Sequence, residues 1–353
     1  MPDWTRSMQQ TFEYYVVNPN TWKDQQRLTT VTGSSITRDK DAETLGSATL
    51  DTTEIIDECY VRIYLVTIQN GIKEKHPLAT VLVQSPNINY DGKINSTSLD
   101  AYTPLIELKE NEPPLGYSVL KDENIMKRAY NLMSENMRGP VVETESDEKL
   151  IDDFVSNTDD TWLSFNDALI YNANYELGLD ELGKVIFLPI QELKALQPIW
   201  TYNNDNSSIL YPEVEVDYDI FGIPNVVEVW YYTDEEDLVG RAVNDKGDSP
   251  VSTVRRGREI VRRVINPDLP GIPSQAQVQE YAERLLEQLS TIERTISYKH
   301  AYCPVRLGDC VRLNYPQAGI DNIKAKVIYQ SIQCEPGCPV SEKAVFSDNL
   351  WKG

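Results

Sequence analysis

The feature that most constrains the fold is a series of short runs with strand periodicity in the first third of the chain. Apolar and polar residues alternate in Phe12–Val17 and Tyr60–Ile68, and this alternation is typical of half-buried β-strands. The pair Asn70-Gly71 tolerates a positive φ at both turn positions, which predicts a tight hairpin turn. We therefore predict a small antiparallel β-barrel or sandwich over residues 1–115.

Residues 116–200 have a mixed pattern and are predicted to form an α+β insertion. A helix is predicted over Asp122–Met137, where apolar residues recur at helical spacing on one face. A second, shorter helix is predicted from Ser164. Two short alternating runs, Tyr175–Leu179 and Val185–Phe187, flank a glycine-containing turn and predict a β-hairpin.

The remaining sequence predicts a β-rich domain, then a helix and a second antiparallel β-barrel. Four runs within residues 201–273 alternate or are apolar, which predicts strands that complete or link the barrels. Residues 274–353 begin with an amphipathic helix, since apolar residues recur at i, i+3, i+4 and i+7 as far as Ile292. Ser274 and Gln277 predict a capping box at its start. The predicted fold class is mainly β with α+β insertions.

An excess of acidic residues limits the partners that the chain can bind. The 353 residues include 55 Asp or Glu and 33 Lys or Arg, which gives a net charge of −22. Such a charge repels phosphate and anionic lipid, so a nucleic-acid-binding function is disfavoured. No amino-terminal signal is present, and no apolar run approaches the roughly 20 residues that cross a bilayer. We expect synthesis and folding in the cytoplasm, with no membrane span.

Two local charge clusters differ from this background. Eight carboxylates and one Lys occur between Glu143 and Asp160, a pattern typical of a solvated loop. The dense basic cluster consists of Arg255, Arg256, Arg258, Arg262 and Arg263. In a chain of this net charge we predict that the basic cluster pairs with carboxylates of a neighbouring protein. A solvated loop is the alternative.

Three stretches, taken in order, resemble one family of proteins. Gly33–Leu50 is similar to that family's opening barrel strands, and Thr161–Phe187 is similar to its inserted helix-and-hairpin domain. The helix ending at Ile292, followed by His300 and Leu307–Leu313, is similar to its entry into a second barrel. By this order and spacing, the chain resembles the central baseplate hub or tail-tip hub proteins of long-tailed bacteriophages and contractile injection systems.

The resemblance implies two small barrels with inserted domains, and a homotrimer whose barrels form a ring. It implies a non-enzymatic adaptor in the virion tail that joins the six-fold tail tube to a three-fold spike or tip. The implied partners are the tail tube protein, distal tail or baseplate proteins, the central spike or tip protein and the tape-measure protein. DNA would pass through the ring without specific binding, because acidic surfaces repel it. We expect cell lysis and host adhesion to belong to partners.

Four of the five cysteines lie close together near the end of the sequence. Cys303, Cys310, Cys334 and Cys338 have the spacing C-x6-C-x23-C-x3-C, which differs from the C-x2-C pairs of common zinc ribbons. Both pairs fall at turns of neighbouring predicted strands, where four thiolates can bind zinc or a 4Fe-4S cluster. The hub resemblance also implies an iron–sulfur cluster. Free buried thiols or disulfides stay open as alternatives, and His300 is either a substitute ligand or a structural residue.

Catalysis is disfavoured because groups that transfer protons near neutral pH are scarce. The two histidines are His76, in a predicted polar turn, and His300, and neither lies near a nucleophile motif. Paired carboxylates are common, so a hydrolase of cell-wall glycan stays as an alternative. A glycan-binding module is another, suggested by aromatic residues on predicted strands. Exposure of Trp230 and Tyr232 as a flat platform would favour binding, whereas burial would favour assembly.

Overall fold

The computed structural model describes residues 2–90, 95–205, 208–233, 236–269 and 273–351. The fold is mainly β with few helices, which confirms the predicted class. The chain divides into two compact units, of which the first comprises Met1–Val214 and Tyr298–Ala344. The second comprises Glu215–Ser297 and Val345–Gly353. No helix in the described ranges is long and apolar enough to cross a membrane.

The first unit begins with a series of antiparallel strands. These strands are β1 (Gln9–Val17), β2 (Asp24–Leu28), β3 (Val31–Asp39), β4 (Gly46–Thr52), β5 (Cys59–Gln69), β6 (Ile72–Tyr90) and β7 (Asn95–Tyr102). Their order in the sheet is β3-β4-β7-β6-β5-β1-β2. Asn70 and Gly71 have φ values of 52° and 78°, which confirms the predicted tight turn between β5 and β6. Strand β5 buries Ile63 and Leu65 completely, and Val61 and Val66 are buried as well, so both faces of this strand are covered and the predicted half-buried pattern is not observed.

The predicted α+β insertion follows in the same unit. Its elements are α1 (Ile106–Lys109), β8 (Ser118–Val119), α2 (Ile125–Asn136), β9 (Phe154–Val155), α3 (Trp162–Tyr171), β10 (Tyr175–Leu179), β11 (Val185–Pro189) and β12 (Trp200–Asn203). Both predicted helices and the β10–β11 hairpin are confirmed. Helix α3 begins earlier than predicted because Thr161 is its cap and Ser164 is the capping-box partner of Thr161. Met126, Phe165 and Phe187 pack together in one core.

The next elements belong largely to the second unit. They are β13 (Leu210–Tyr218), β14 (Val226–Tyr232), β15 (Asp237–Val243), α4 (Thr253–Arg256), β16 (Val261–Ile265) and α5 (Gln275–Leu289). Strand β14 pairs with β15 antiparallel and with β16 parallel. Helix α5 buries Ala282 and Leu286 against Val229 of this sheet. The capping box is confirmed, because Ser274 N–H donates to Gln277 Oε1 at 2.8 Å and Gln277 N–H donates to Ser274 Oγ.

The last strands connect the end of the sequence to its beginning. They are β17 (Thr291–Ala301), β18 (Cys310–Tyr315), β19 (Ile320–Gln333) and β20 (Pro339–Asn349). Strand β19 pairs antiparallel with β18 and with β3, and β18 pairs in parallel with β12. The pairing of β19 with β3 joins strands from both ends of the chain in one sheet. Closure into two barrels, and domain boundaries after residues 115, 200 and 273, stay predictions.

Candidate functional site

A cluster of buried polar side chains lies in the first unit, on strands β12, β17, β19 and β20. We call it the Glu342 cluster, and it comprises Tyr202, Tyr298, His300, Cys303, Gln330 and Glu342. The alternation of β20 places Glu342 on the same buried face as Val340 and Ala344. Glu342 is only 1% exposed and His300 is not exposed at all. A carboxylate at such a depth is tolerated only with partners on its oxygens.

Both carboxylate oxygens of Glu342 have partners. Oε1 accepts hydrogen bonds from the hydroxyl of Tyr298 and from that of Tyr202, the latter at 3.3 Å. Oε2 accepts from Gln330 Nε2 at 2.6 Å and lies 3.4 Å from His300 Nε2. Burial raises the pKa of both tyrosines well above the usual range, so their hydroxyls keep the protons that they donate. The carboxylate is therefore fully engaged within the fold.

His300 is the cation of this cluster. Burial alone would lower its pKa, but Cys303 and Glu342 outweigh burial and raise the pKa to about 10. Nδ1 lies 2.7 Å from the carbonyl oxygen of Ala301 and must donate to it, because a carbonyl can only accept. The imidazolium thus pairs with Glu342 away from solvent. Such a pair holds strands in register and has no access to a substrate.

Gln330 extends the cluster toward the amino-terminal strands. Its Nε2 also donates to the carbonyl oxygen of Val305 at 3.0 Å, and its Oε1 accepts from Arg38 at 2.9 Å. Arg38 in β3 donates in turn to the carbonyl oxygen of Leu78 at 2.7 Å. A continuous chain of hydrogen bonds therefore runs from β20 through β19 and β3 to β6.

The four cysteines of the predicted metal site lie in different surroundings. Cys303 belongs to the Glu342 cluster, where its sulfur lies 3.3 Å from the hydroxyl of Tyr202. Cys310 starts β18, with its thiol directed to the carbonyl oxygen of Val311. Cys334 and Cys338 flank the turn between β19 and β20, and all four are free thiols.

Burial affects the protonation of these thiols in the metal-free protein. Burial raises the pKa of Cys334 to about 11 and also raises the pKa of Cys310 and of Cys338. Metals bind the thiolate, so a metal at these cysteines would displace their protons on binding. Within the part of the chain that the structure describes, no three His, Cys, Asp or Glu side chains are placed to hold one ion. Zinc or an iron–sulfur cluster at these cysteines stays a prediction.

The β10–β11 hairpin carries a second set of charges, which are only partly buried. Glu181 accepts two hydrogen bonds from the guanidinium of Arg306, both at 2.6 Å. Glu176 lies 2.7 Å from Lys40 Nζ and 3.2 Å from Lys326 Nζ. Burial alone would raise the pKa of Glu176, but the two ammonium groups outweigh it and lower that pKa. These ion pairs tie the insertion to strands β3 and β19.

A cavity of about 170 Å³ lies beneath this hairpin in the first unit. Its apolar lining consists of Ile36, Leu45, Leu78, Leu177, Ile186, Leu188 and Leu307. The carboxylates at its border are occupied: Glu176 and Glu181 by the ion pairs, Asp180 by the backbone N–H of Lys184, and Asp309 by that of Arg306. A cavity of this size holds a benzene-sized molecule. It is too small for the glycan chain that the hydrolase alternative requires.

The histidine and aromatic residues give little support to the glycan alternatives. His76 lies within β6, so its assignment to a turn is wrong: the lysine-rich segment around it pairs with β5 across the sheet. Burial lowers the pKa of His76, and its Nε2 contacts the hydroxyl of Thr67 at 3.2 Å.

Tyr298 is 3% exposed, whereas Tyr232 is 48% exposed beside a half-buried Trp230. This single exposed ring does not form a flat platform.

The fold is similar to those of solved phage tail proteins. The tail protein from Neisseria meningitidis MC58 superposes with a TM-score of 0.60 at 12% identity, covering 97% of this chain and 98% of that one. The 43 kDa tail protein of prophage MuSo2 from Shewanella oneidensis gives 0.59 at 10% identity, covering 95% and 98%. A chain of the Francisella PdpA-VgrG complex gives 0.53 at 11% identity, covering 97% of this chain and 58% of that one.

No protein-family model and no curated protein matches the sequence. At identities of 10 to 12%, the similarity establishes the fold and leaves function to be argued. The agreement extends over nearly the full length of this chain and of two phage tail proteins. The chain has the fold of phage tail proteins, as its resemblance to tail hubs predicted.

Proposed function

We propose that the protein is a structural component of a phage tail, a baseplate hub or tail-tip adaptor in the virion. The observation that carries this proposal is the shared fold over 97% of this chain and 98% of a solved phage tail protein. Fold similarity alone is a weak guide to chemistry, but here the buried charges also favour a scaffold. His300 and Glu342 join strands of the first unit and are buried, so this pair has no access to a substrate.

The proposed mechanism is geometric. Three copies form a ring that joins the six-fold tail tube to a three-fold spike or tip, with distal tail or baseplate proteins and the tape-measure protein as further partners. Paired strands and the Glu342 cluster keep the ring rigid under load. Acidic residues on the inner surface repel the DNA that passes, because the chain has a net charge of −22.

Native mass spectrometry combined with electron microscopy of the purified protein tests this proposal. We expect a mass of three chains and ring-shaped particles with a central opening. Incubation with purified tail tube protein should place the ring at tube ends, and the tube protein of an unrelated tail is the control. Release of reducing sugar from bacterial cell walls would instead favour the hydrolase alternative. A monomer that never binds tube ends would refute the adaptor role.

A further inference from the structure

The second unit exposes an aromatic ring in the turn before β14, and it exposes arginines on α4, after α4 and on β16. Phe221 is 92% exposed and Val254 is 64% exposed. Three exposed arginines of the basic cluster have no carboxylate partner among the described residues, namely Arg255, Arg258 and Arg262. We call these five residues the arginine patch. Exposed Phe and Arg together are typical of the centre of a protein interface.

Hydrogen bonds within the second unit hold this patch in shape. The guanidinium of Arg256 donates to the carbonyl oxygens of Ile220 and Ile223, at 2.6 and 2.9 Å, which fixes the turn carrying Phe221 against α4. Asn225 Nδ2 donates to the carbonyl oxygen of Arg258 at 3.0 Å. These bonds hold the backbone of the patch in place. Several positive charges on such a surface favour an anionic partner.

Two other arginines of the second unit, by contrast, form ion pairs within that unit. Arg263 Nε lies 2.8 Å from Glu228, and a guanidinium nitrogen of Arg241 lies 2.8 Å from Glu259. These arginines are bound within the unit and carry no free charge for a partner. The arginines of the patch differ from these two because they have no such ion pair among the described residues.

The first unit has an exposed surface that also combines apolar and charged side chains, but its charges are negative. In the acidic segment, residues 143–160, the exposed carboxylates with no Lys or Arg partner in the described chain include Glu143, Glu145, Asp147, Glu148, Asp152 and Asp153. Ile151 is 82% exposed and Val155 is 53% exposed among them. Pairing of β8 with β9 holds the segment in place. Lys121 N–H also donates to Asp153 Oδ1 at 2.8 Å.

We propose that the arginine patch of one copy binds the acidic segment of a second copy. The inference rests on the proposed homotrimer and names the contact that would hold it. The two surfaces differ, so the contact is head-to-tail, and three such contacts close a ring. Phe221 packs against Ile151 and Val155, while the arginines surround it and neutralise the carboxylates. A second copy is the favoured occupant because both halves of the contact, apolar centre and opposite charge, are present on this chain.

Charge reversal at the arginine patch is the first arm of the test. The variant Arg255→Glu, Arg258→Glu, Arg262→Glu places carboxylates opposite carboxylates. We expect trimer association to weaken at least about 100-fold, measured by analytical ultracentrifugation over a concentration series. The control reverses three exposed lysines outside both surfaces, Lys23, Lys194 and Lys343, and changes the net charge equally. The control should assemble like the wild type.

The reciprocal reversal makes the test specific for pairing. Glu145→Lys, Asp147→Lys, Asp152→Lys should weaken the trimer to a similar degree. A chain carrying both sets of reversals should recover association, because the charges are exchanged between the surfaces. Failure of the combined variant to recover, with unchanged circular dichroism, would overturn the contact.

Phe221→Ala provides an arm that leaves the charges intact. The ring is 92% exposed, so its removal should leave the melting temperature unchanged. Association should weaken about tenfold, in a way that salt does not alter. A wild-type trimer that tolerates both Phe221→Ala and the arginine reversals would refute the contact and leave the proposed trimer standing. A wild-type chain that stays monomeric at every concentration would refute both.

Discussion

Replacing Glu342 by Ala is the perturbation for which the structure makes the sharpest prediction. The change removes the acceptor for Tyr298, Tyr202 and Gln330, and it removes the counter-charge of His300. Removing one partner of a buried ion pair costs about 3–5 kcal/mol, because the remaining charge stays buried or must lose its proton. A domain's whole stability is about 5–15 kcal/mol, so this loss is a large share of it.

Urea denaturation followed by far-ultraviolet circular dichroism measures this loss. The matched control is Glu335→Ala, because Glu335 is an exposed glutamate in the turn before the same strand. Its removal should change the free energy of unfolding by less than about 0.5 kcal/mol. Glu342→Gln keeps the shape of the side chain. Its loss in free energy of unfolding should lie between those of Glu342→Ala and Glu335→Ala, since it loses the charge but keeps an acceptor oxygen.

The result that would refute this reasoning is a loss for Glu342→Ala as small as that of the control. Such a result would mean that water reaches the carboxylate, or that the strands tolerate its absence by repacking. Tryptophan fluorescence, measured during the same urea denaturation, shows whether the two units unfold together. Equal midpoints from both probes support the two-state treatment on which the magnitude depends.

Three further predictions concern pH, backbone conformation and metal. The pKa of His300 in the folded protein, about 10, lies above the usual histidine value of 6.5, so its stabilisation is complete below about pH 6.5 and is lost as pH rises through 10. The stability difference between wild type and His300→Asn, measured in urea, should therefore shrink from pH 7 to pH 10, and a constant difference would contradict it. Gly46 has a φ of +142°, and a Cβ there would lie 2.2 Å from the carbonyl oxygen of Thr37. Gly46→Ala should lower the melting temperature by several degrees, whereas Gly247→Ala, with open space, should not. Native mass spectrometry of protein prepared without air tests the metal: an iron–sulfur or zinc mass on each chain, lost on substitution of Cys334 and Cys338, would confirm the sequence prediction, and bare chains would refute it.

Local patterns predicted the elements whose causes are local. The capping box of Ser274 and Gln277, and the apolar stripe behind it, are determined within one helix, and both were confirmed as far as Leu289. The prediction that the helix reaches Ile292 was wrong, because Ile292 lies in β17. The turn at Asn70-Gly71 and the β10–β11 hairpin follow from short-range backbone preferences in the same way. The order of these elements along the chain also supported the resemblance to tail hubs.

The Glu342 cluster was not predicted from the sequence, because its members are far apart along the chain. Only the packing of four strands brings Tyr202 next to Glu342, and no local preference reports that contact. One signal was present: Glu342 occupies the buried phase of the alternation Val340, Glu342, Ala344. An acidic residue in that phase predicts either a buried partner or a misassigned strand. His300 was predicted to be either a substitute ligand or a structural residue, and the structure places it as the counter-charge of Glu342.

The pairing of β19 with β3 has a consequence for how the chain is made on the ribosome. Strand β3 leaves the exit tunnel early, yet the strand that covers its edge is synthesised near the end of the chain. At ordinary translation rates the wait is on the order of 15 s to a minute. During that interval β3 is an open sheet edge, which can pair with other nascent chains on the same message. Dense expression of this protein therefore places copies near one another while their edges are still exposed, and less frequent initiation with chaperones present should raise the yield of correctly paired chains.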